Sequence, residues 1–301
     1  MTDPLLQRLL RKIPMLAERP AKAWRATPLA SITNRNWRLT DGMHDLVLRA
    51  PRESSARYLS RTREFHNAGI AAALGLTPPL LYADAETGDT LQPFLADARA
   101  LTAADLARPE IAVEIGAVLA RLHRSGRRFE GTMAPFPIID VYLDLARDPG
   151  LVELRRRAEP IRAALGSHPA ASVPSHIDPN PANFLLRADG SLMLIDWEFS
   201  AMCEPAWDLA AVAIEGTMSP RAVAALHQGY GWQPSPSDLS RLWLMRAALH
   251  LVAATWCAAE IAGGNTAEGL AALLARCTKD ALRVLEDPAL GGHLAAISAG
   301  G

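Results

Sequence analysis

The stretch HIDPNPANFLLRADGSLMLIDWEFS, residues 176–200, carries the pattern from which a fold and a chemistry can be predicted. Two short apolar runs flank Asp189 and Gly190, which is typical of a β-hairpin. With a two-residue turn there, Asn183 and Asp196 lie opposite each other, and facing Cα atoms in an antiparallel ladder are about 4.5–5.5 Å apart. We therefore expect an amide and a carboxylate to converge at the open end of this hairpin.

The side chains around this hairpin are those that phosphoryl transfer requires. Hard oxygen ligands such as Asn183 and Asp196 suit Mg²⁺, which takes its remaining ligands from water and substrate phosphates. Asp178 precedes Asn183 by five residues, on a proline-rich loop where it can orient a hydroxyl group and accept its proton. Each residue alone is an ordinary turn former, so the prediction depends on their combination and spacing.

The rest of the chain predicts an α+β protein with two lobes. Residues 31–40 and 45–50 flank Asp41-Gly42 as a second hairpin, and a helical pattern runs from about residue 56 to 74 and ends at Gly75. From about Thr102 onward the pattern is mostly helical. We expect a small antiparallel β-sheet lobe with one helix over residues 1–95, joined near residues 93–97 to a larger helical lobe over residues 96–301.

Composition excludes several classes of protein. The formal net charge of −1 over 301 residues and the absence of a basic stripe argue against nucleic-acid binding. Three scattered cysteines predict neither disulfides nor a zinc site, so a reducing cytoplasm is expected. The most apolar stretch, residues 242–262, contains Arg246, His250 and Glu260, which predicts a buried helix and no membrane span. A monomer and a homodimer both stay open, as does the role of residues 1–25.

The segment HIDPNPANFLLRADGSLMLIDWEFSAMCEPAWDLA, residues 176–210, resembles the catalytic core of choline/ethanolamine kinases and aminoglycoside phosphotransferases. The stretches SITNRNWRL, LVLRAP and RTREFHNAGIAAALGL are similar to the first lobe of the same group, and to bacterial choline-kinase-like proteins in particular. The likeness covers about residues 28–210. It implies a protein-kinase-like fold and an enzyme that transfers phosphate from ATP, with Mg²⁺, to the hydroxyl group of a small molecule.

The resemblance also implies roles for residues of the second lobe. Asp178 corresponds to the catalytic base, and Asn183 and Asp196 correspond to the Mg²⁺ ligands. Asp208 is implied to brace the catalytic loop, and His176 to be structural.

The first lobe needs a cation for the nucleotide phosphates, and none of the three lysines lies on a predicted strand. We therefore assign Arg49, at the end of a predicted strand, and choline-kinase-like proteins similarly carry arginine there. Arginine stays charged and binds phosphate through two donors. Glu64, on the following helix, is its expected ion-pair partner.

The remaining nucleotide contacts are predicted on two loops. A tight turn at Asp41-Gly42 would place Asn34 opposite Arg49, so that residues 31–36 cap the phosphates. This loop lacks the expected glycines, and side chains would help the backbone to hold the phosphates. The predicted nucleotide-binding residues other than Arg49 and Glu64 are Ser31, Thr33 and Asn34 on this loop and Gln92, Phe94 and Leu95 at the hinge that holds adenine.

Choline is the first substrate to consider, because a quaternary ammonium group calls for aromatic faces and a carboxylate. Trp197 and Glu198 are suitable in type, and aromatic residues of the helical lobe could contribute, namely Trp207, Trp243, Trp256 and Tyr230. Arg246 follows Trp243 by three residues and would oppose a cation. Thiamine, other amino alcohols, sugars and aminoglycosides stay open. An alternative of another class is a nucleotide-binding pseudokinase or scaffold, which the missing lysine and the glycine-poor loop favour and the intact Asp178 opposes.

Overall fold

An antiparallel five-stranded sheet forms the first part of the chain, and helices form most of the rest. The computed structural model describes residues 3–29, 31, 34–52 and 59–299. The elements of the first part are α1 (Pro4–Lys12), α2 (Pro14–Ala17), a 3₁₀ turn (Ala21–Ala23), β1 (Arg25–Leu29), β2 (Asn34–Thr40), β3 (Asp45–Pro51), α3 (Arg61–Ala73), β4 (Tyr82–Ala83) and β5 (Thr90–Pro93). The strand order is β1-β2-β3-β5-β4. The predicted α+β class is confirmed.

The second part contains short strands only around the predicted catalytic hairpin. Its elements are β6 (Ala98–Ala100), α4 (Ala103–Leu106), α5 (Pro109–His123), α6 (Pro135–Ala146), α7 (Pro149–Arg157), α8 (Glu159–Ser167), β7 (Val173–Ser175), a 3₁₀ turn (Pro181–Asn183), β8 (Phe184–Arg187), β9 (Leu192–Leu194), β10 (Ala201–Cys203), α9 (Pro205–Glu215), α10 (Pro220–Tyr230), α11 (Pro236–Ala262), α12 (Leu270–Leu285) and α13 (Leu290–Ala299). Strands pair in the orders β6-β8-β9 and β10-β7. The division at residues 95 and 96 stays a prediction.

The first hairpin has a longer turn than predicted. Thr40 pairs with Asp45, so the loop contains four residues, and Asn36 rather than Asn34 lies opposite Arg49. The carboxylate of Asp41 accepts hydrogen bonds from the backbone of residues 43 and 44 at 2.9 and 2.7 Å, which closes the loop. The observed pairing is shifted by two residues from the predicted one. Because side chains alternate between the two faces of a sheet, this shift leaves each side chain on its predicted face.

The second hairpin differs from the prediction by one residue. Phe184 pairs with Leu194, and a three-residue loop ends at Gly190, whose φ is +85°. The predicted pairing of Asn183 with Asp196 is therefore wrong. Asn183 ends the 3₁₀ turn before β8, whereas Asp196 follows β9 with a left-handed φ of +66°.

The N-terminal helices pack on the sheet of their own chain. Buried apolar side chains of residues 6–16 form one cluster with those of the sheet; its members include Leu9, Ile13, Trp37, Leu48 and Leu91. Lys12 adds an ion pair to the β4–β5 loop, with its Nζ 2.7 Å from Asp84 and 2.9 Å from Asp89. Packing on the small sheet is thus the role that the structure gives to this segment.

Helix α3 packs mainly with the helical part. Ala68 and Ala71 of α3 and Leu76 after it belong to a cluster that includes α5, β8, β9 and α10. The backbone oxygen of Leu76 also accepts a hydrogen bond from Leu194 of β9 at 2.8 Å. Helix α3 therefore lies between the sheet and the helical core.

Helix α11 is the central helix of the C-terminal core. It packs against α6, α9, α12 and α13, and it is the one helix in the described ranges long and apolar enough to cross a membrane by composition. In the structure, 67% of its most apolar window is buried. The position agrees with the predicted buried helix.

Truncating Leu9 tests whether α1 is part of the folded core. Leu9 is fully buried, so Leu9→Ala should lower the free energy of unfolding by about 2–5 kcal/mol, measured by urea denaturation. Arg8→Ala, at the neighbouring exposed position, serves as the control and should change it by less than about 0.5 kcal/mol. Equal stability of the Leu9 variant and wild type would show that α1 adds nothing to the sheet.

Candidate active site

A buried hydrogen-bond network holds the loop that follows β7. Asp208, at the start of α9, accepts from the backbone nitrogens of His176 and Ile177 at 2.8 and 2.9 Å, and from Nε2 of His123 at 3.1 Å. Burial alone would raise the pKa of Asp208, but hydrogen bonding and the charge of His123 hold it below its ordinary value. Asp208 thus contacts the loop as predicted, and buried His176 binds the Ile195 oxygen at 2.9 Å.

The loop itself has a strained backbone at Ile177. Its φ is +75°, a region that a β-branched residue rarely occupies. Both backbone groups of Ile177 are bound, the nitrogen to Asp208 and the oxygen to the indole N–H of Trp207 at 2.8 Å. Such strain persists only where surrounding contacts determine the conformation, and here it directs the next residue, Asp178.

Asp178 is oriented by two asparagines. Its Oδ2 accepts from Nδ2 of Asn180 at 3.0 Å and of Asn183 at 3.2 Å. Burial, followed by the charges of Glu198 and Glu215, raises the pKa of Asp178 to about 7, although both asparagines lower it. Among the described residues these bonds occupy Oδ2 alone, so Oδ1 is the oxygen that can accept a proton from a substrate.

Asp196 and Glu198 face two arginines. Nη1 of Arg49 lies 3.2 Å from Oδ1 of Asp196 and 4.0 Å from Oε2 of Glu198, and Nη1 of Arg61 lies 3.4 Å from the same Glu198 oxygen. Burial raises the pKa of both carboxyl groups, and the charge of Asp196 raises that of Glu198 further. The arginines only partly offset this accumulation of negative charge.

Glu64 joins the same group from α3. It forms ion pairs with Arg49 and with Arg61, the latter at 2.8 Å. The predicted ion pair of Arg49 with Glu64 is thus present. Nε of Arg49 and Nη2 of Arg61 are buried donors without a hydrogen-bond partner among the described residues, and buried unpaired donors fit an anionic ligand such as a phosphate.

The residues present also fit Mg²⁺. Asn183 donates its amide hydrogens to the carbonyl and carboxylate of Asp178, at 2.9 and 3.2 Å, which turns its amide oxygen away from Asp178. That oxygen and the carboxylate of Asp196 are hard ligands, and the charges of Asp178 and Glu64 raise the pKa of Asp196. A divalent cation would relieve this repulsion.

Two of the predicted phosphate-capping residues, Ser31 and Asn34, have their contacts described. Nδ2 of buried Asn34 donates to Oε2 of Glu198 at 3.3 Å, and the hydroxyl of Ser31 accepts from the backbone nitrogen of Asn34 at 3.2 Å. Thr33 lies outside the described residues. The first residue of β2 is thus bound to Glu198, and the contact of these residues with nucleotide phosphates stays a prediction.

The predicted hinge residues connect the sheet to the helical part. Gln92 pairs with Val47 at the end of β5. Phe94 donates its backbone N–H to Asp45 at 2.9 Å, and its ring lies 4.0 Å below the Arg38 guanidinium. The half-buried Leu95 accepts at 3.1 Å from the backbone nitrogen of Ala98, which starts β6. Their contact with adenine stays a prediction.

Two of the three predicted substrate residues occupy other environments. Trp197 is only 3% exposed and donates its indole N–H to the Leu194 oxygen at 3.3 Å, so it is a core side chain and we withdraw it as a substrate residue. Trp243 stacks on His293 of α13 with ring centroids 4.3 Å apart. Glu198 is buried among arginines, as described above.

Further aromatic residues lie on α6, just after Glu198 and on α11, and Tyr142 of α6 is the one that lies near Asp178. Tyr142 is buried, and burial is the largest cause that raises the pKa of its hydroxyl. The negative charges of Glu260, Glu198 and Asp178 raise this pKa further, whereas Arg63 lowers it. Phe199 and Trp256 are both half-buried and meet edge to face at 6.5 Å. We call Tyr142, Phe199, Trp256 and Glu260 the aromatic–acid group.

Comparison with known proteins assigns the chain to a family. Residues 25–242, more than two thirds of the 301, match the model of the phosphotransferase enzyme family. The chain belongs to this family.

Two curated relatives match parts of this phosphotransferase. Protein LicA of Haemophilus influenzae is 26% identical over 208 residues, which cover 67% of this chain and 61% of that relative. Thiamine kinase of Escherichia coli O17:K52:H18 is 33% identical over 106 residues, which cover 35% of this chain and 38% of that enzyme. Each match thus spans less than two thirds of the relative's length.

Solved structures match over nearly the whole chain. A choline/ethanolamine kinase family protein of Mesorhizobium loti is 28% identical with a TM-score of 0.84, covering 99% of this chain and 100% of that one. Choline kinase LicA of Streptococcus pneumoniae has a TM-score of 0.82 at 21% identity and covers 93% and 99%. The resemblance noted in the sequence is confirmed. This phosphotransferase has the protein-kinase-like fold, and choline/ethanolamine kinases are among the structures that it resembles.

Several residues of the site were missed from the sequence. Asn180 lies within the motif, and its place two residues after Asp178 is a signal that could have been used. Arg61 precedes Glu64 by one helical turn, so its side chain shares that face. No local signal pointed to His123, because it reaches Asp208 only through the packing of α5 on α9.

The raised pKa of Asp178 predicts an unusual stability effect. Between its ordinary value of 3.8 and about 7, the folded metal-free protein holds a proton that the unfolded chain has lost, so stability falls as the pH rises through this range. Asp178→Asn removes this cost. We expect the metal-free variant to resist urea better than wild type at pH 8, with an advantage that shrinks steadily below pH 7.

The exposed Asp189 of the same hairpin provides the control, because hydrogen bonds from Ser191 lower its pKa. Asp189→Asn should give no gain at pH 8. A variant of Asp178 that is less stable than wild type at pH 8 would show that its carboxylate is not disfavoured in the folded protein.

Proposed function

We propose that this phosphotransferase transfers the γ-phosphoryl group of Mg-ATP to the hydroxyl group of choline or a related amino alcohol. The observation that carries the proposal is the convergence of Asp178 and Asn183 with the Arg49–Glu64–Asp196 ion pairs. These groups come from the catalytic loop, β3, α3 and the segment after β9. They supply a base, candidate metal ligands and a cation for phosphates, which are the parts of phosphoryl transfer.

Asp178 would act as the base. With Oδ2 bound by Asn180 and Asn183, Oδ1 would accept a hydrogen bond from the substrate hydroxyl and take its proton as the oxygen attacks phosphorus. A pKa of about 7 lies near the working pH, where a general base is most effective.

Asn183 and Asp196 would hold Mg²⁺ through one amide and one carboxylate oxygen. The ion, when bound, would neutralise charge on the transferring phosphate. Arg49 and Arg61 each carry an unpaired buried donor and would bind the phosphate oxygens from the opposite side. Glu64 contacts both arginines and would keep them in place.

The aromatic–acid group supports a cationic substrate. Aromatic faces attract quaternary ammonium groups, and a carboxylate adds to the attraction. Trp256 and Glu260 are one turn apart on α11 and therefore share a face, whereas Trp243 points about 140° away around the helix, thirteen residues earlier at 3.6 residues per turn. Arg246 is exposed, with its guanidinium 6.0 Å from the Trp243 ring, so it does not bear on Trp256.

Thiamine is the second candidate substrate. It also carries a primary hydroxyl group and a positive charge, and the 106-residue match to thiamine kinase favours it. A coupled ADP-release assay with Mg-ATP and choline, ethanolamine, thiamine, sugars and kanamycin would separate these substrates. Release with none of them, despite ATP binding, would support the pseudokinase alternative.

Loss of the base should abolish most turnover. We expect Asp178→Ala to lower kcat about 10²–10⁴-fold with the preferred alcohol in the ADP-release assay. Asp189→Asn should keep wild-type activity, because that residue is exposed and lies at the far end of the hairpin. An Asp178→Ala variant with normal kcat would refute the assigned mechanism.

The charge of Glu260 should matter only for cationic alcohols. We expect Glu260→Gln to raise the KM for choline about tenfold and to leave the KM for 3,3-dimethylbutanol, its neutral isostere, unchanged. Glu268→Gln, exposed after the end of α11, is the matched control. Equal changes for both alcohols would place the substrate cation away from Glu260.

A further inference from the structure

Asn67 is a fully buried polar residue in the middle of α3. Its amide oxygen accepts from the backbone nitrogen of Glu130 at 2.8 Å, and its amide nitrogen donates to the Glu130 carbonyl at 3.2 Å. The same nitrogen donates to the carbonyl and the hydroxyl of Ser200 at 2.9 and 3.2 Å. One side chain therefore binds two separate backbone segments, and all its polar atoms are used.

The first of these segments leads to Asp178. The Gly131 oxygen accepts from Met202 of β10 at 3.0 Å, and the Met202 oxygen accepts from Met133 at 2.9 Å. Strand β10 pairs with β7, which runs directly into the catalytic loop. Hydrogen bonds and short stretches of covalent backbone thus connect Asn67 to the loop that carries Asp178.

The second segment leads to Asp196. Ser200 follows Asp196 by four residues, and its backbone nitrogen and hydroxyl both donate to the Trp197 oxygen, at 3.0 and 2.6 Å. The turn from Trp197 to Ser200, directly after Asp196, is therefore closed by hydrogen bonds. Asn67 binds the end of that turn.

Close packing reinforces the position of α3. Arg63 runs so near to Gly131 that a Cβ atom there would lie 2.5 Å from the Arg63 Cδ atom. On the same helix, one turn before Asn67, Glu64 forms its ion pair with Arg49 of β3. Helix α3 thus connects the cation of the sheet to the two segments that carry the aspartates.

We propose that Asn67 is a positioning residue that sets α3, and with it the Arg49–Glu64 ion pair, against the segments carrying Asp178 and Asp196. The inference rests on the proposed function and adds to it a residue that acts through Glu64. A merely structural role would lower the folded fraction without changing the affinity for nucleotide. A positioning role changes that affinity and kcat, while the site for the alcohol keeps its affinity.

The test compares Asn67→Ala with His66→Ala. His66 is the exposed neighbour, whose ring lies 3.8 Å from the Glu130 carboxylate and makes no bond to the Glu130 backbone. We expect Asn67→Ala to lower kcat about 10–100-fold, to raise the KM for Mg-ATP about tenfold, and to leave the KM for the alcohol unchanged. His66→Ala should match wild type in all three.

A double-mutant cycle with Glu64→Ala shows whether Asn67 acts through Glu64. In the Glu64→Ala background, the further substitution of Asn67 should cost less than about threefold in kcat, because coupled residues are not additive. Full additivity of the two effects would overturn the proposal. A single Asn67→Ala variant with kcat and Mg-ATP affinity within twofold of wild type would do the same.

Two further measurements keep the test decisive. If Asn67→Ala does not fold, Asn67→Ser retains a small polar group that cannot reach both segments, and the same changes are expected. If wild type turns over no alcohol, the proposed function fails by itself, and calorimetric Mg-ATP affinity decides the inference. A tenfold loss in Asn67→Ala but not His66→Ala supports it, and equal affinities overturn it.

Discussion

The structure of this phosphotransferase depends on the buried guanidinium of Arg49, which lies between Glu64 and Asp196. A buried charge is tolerated only when it is paired, so this contact brings β3, α3 and the segment after β9 to one place. Arg61 and Glu198 extend the group. Carboxylates outnumber arginines here, and unpaired arginine donors remain, so both a metal ion and phosphates would improve the charge balance.

Two residues next to this charge cluster have a strained backbone. Ile177 and Asp196 both adopt positive φ, and each directs a predicted functional carboxylate, of Asp178 or of Asp196 itself. At Ile177 the conformation is held by buried bonds to Asp208 and Trp207. Buried hydrogen bonds thus stabilise backbone conformations that an unconstrained chain would avoid. These conformations determine where the carboxylates point.

The sequence predicted the fold class and the contact region of Asp178 and Asn183, because motif spacing and turn residues are local properties. The role of Asp178 as the base stays a proposal. The predicted register was wrong in both hairpins, because the loops that contain Asp41 and Gly190 are longer than two residues. The length of such a loop cannot be derived from the sequence of the flanking strands. The sequence also failed to place Trp197. Whether Trp197 faces a core or a cleft depends on packing between distant elements, which helical or strand periodicity does not contain.

In the proposed function, buried arginines would make the phosphate contacts that a lysine and a glycine-rich loop would otherwise make. A glycine-rich loop binds phosphate through backbone amides, whereas Arg49 and Arg61 offer buried side-chain donors to the same kind of ligand. The glycine that this arrangement needs is Gly88, in the β4–β5 loop. Its φ is +78°, and a Cβ atom there would lie 2.6 Å from Cγ of Pro51 and 2.8 Å from Nε of Arg61. A residue with a side chain at position 88 would displace Arg61, so Gly88 leaves room for the Arg61 side chain at the site.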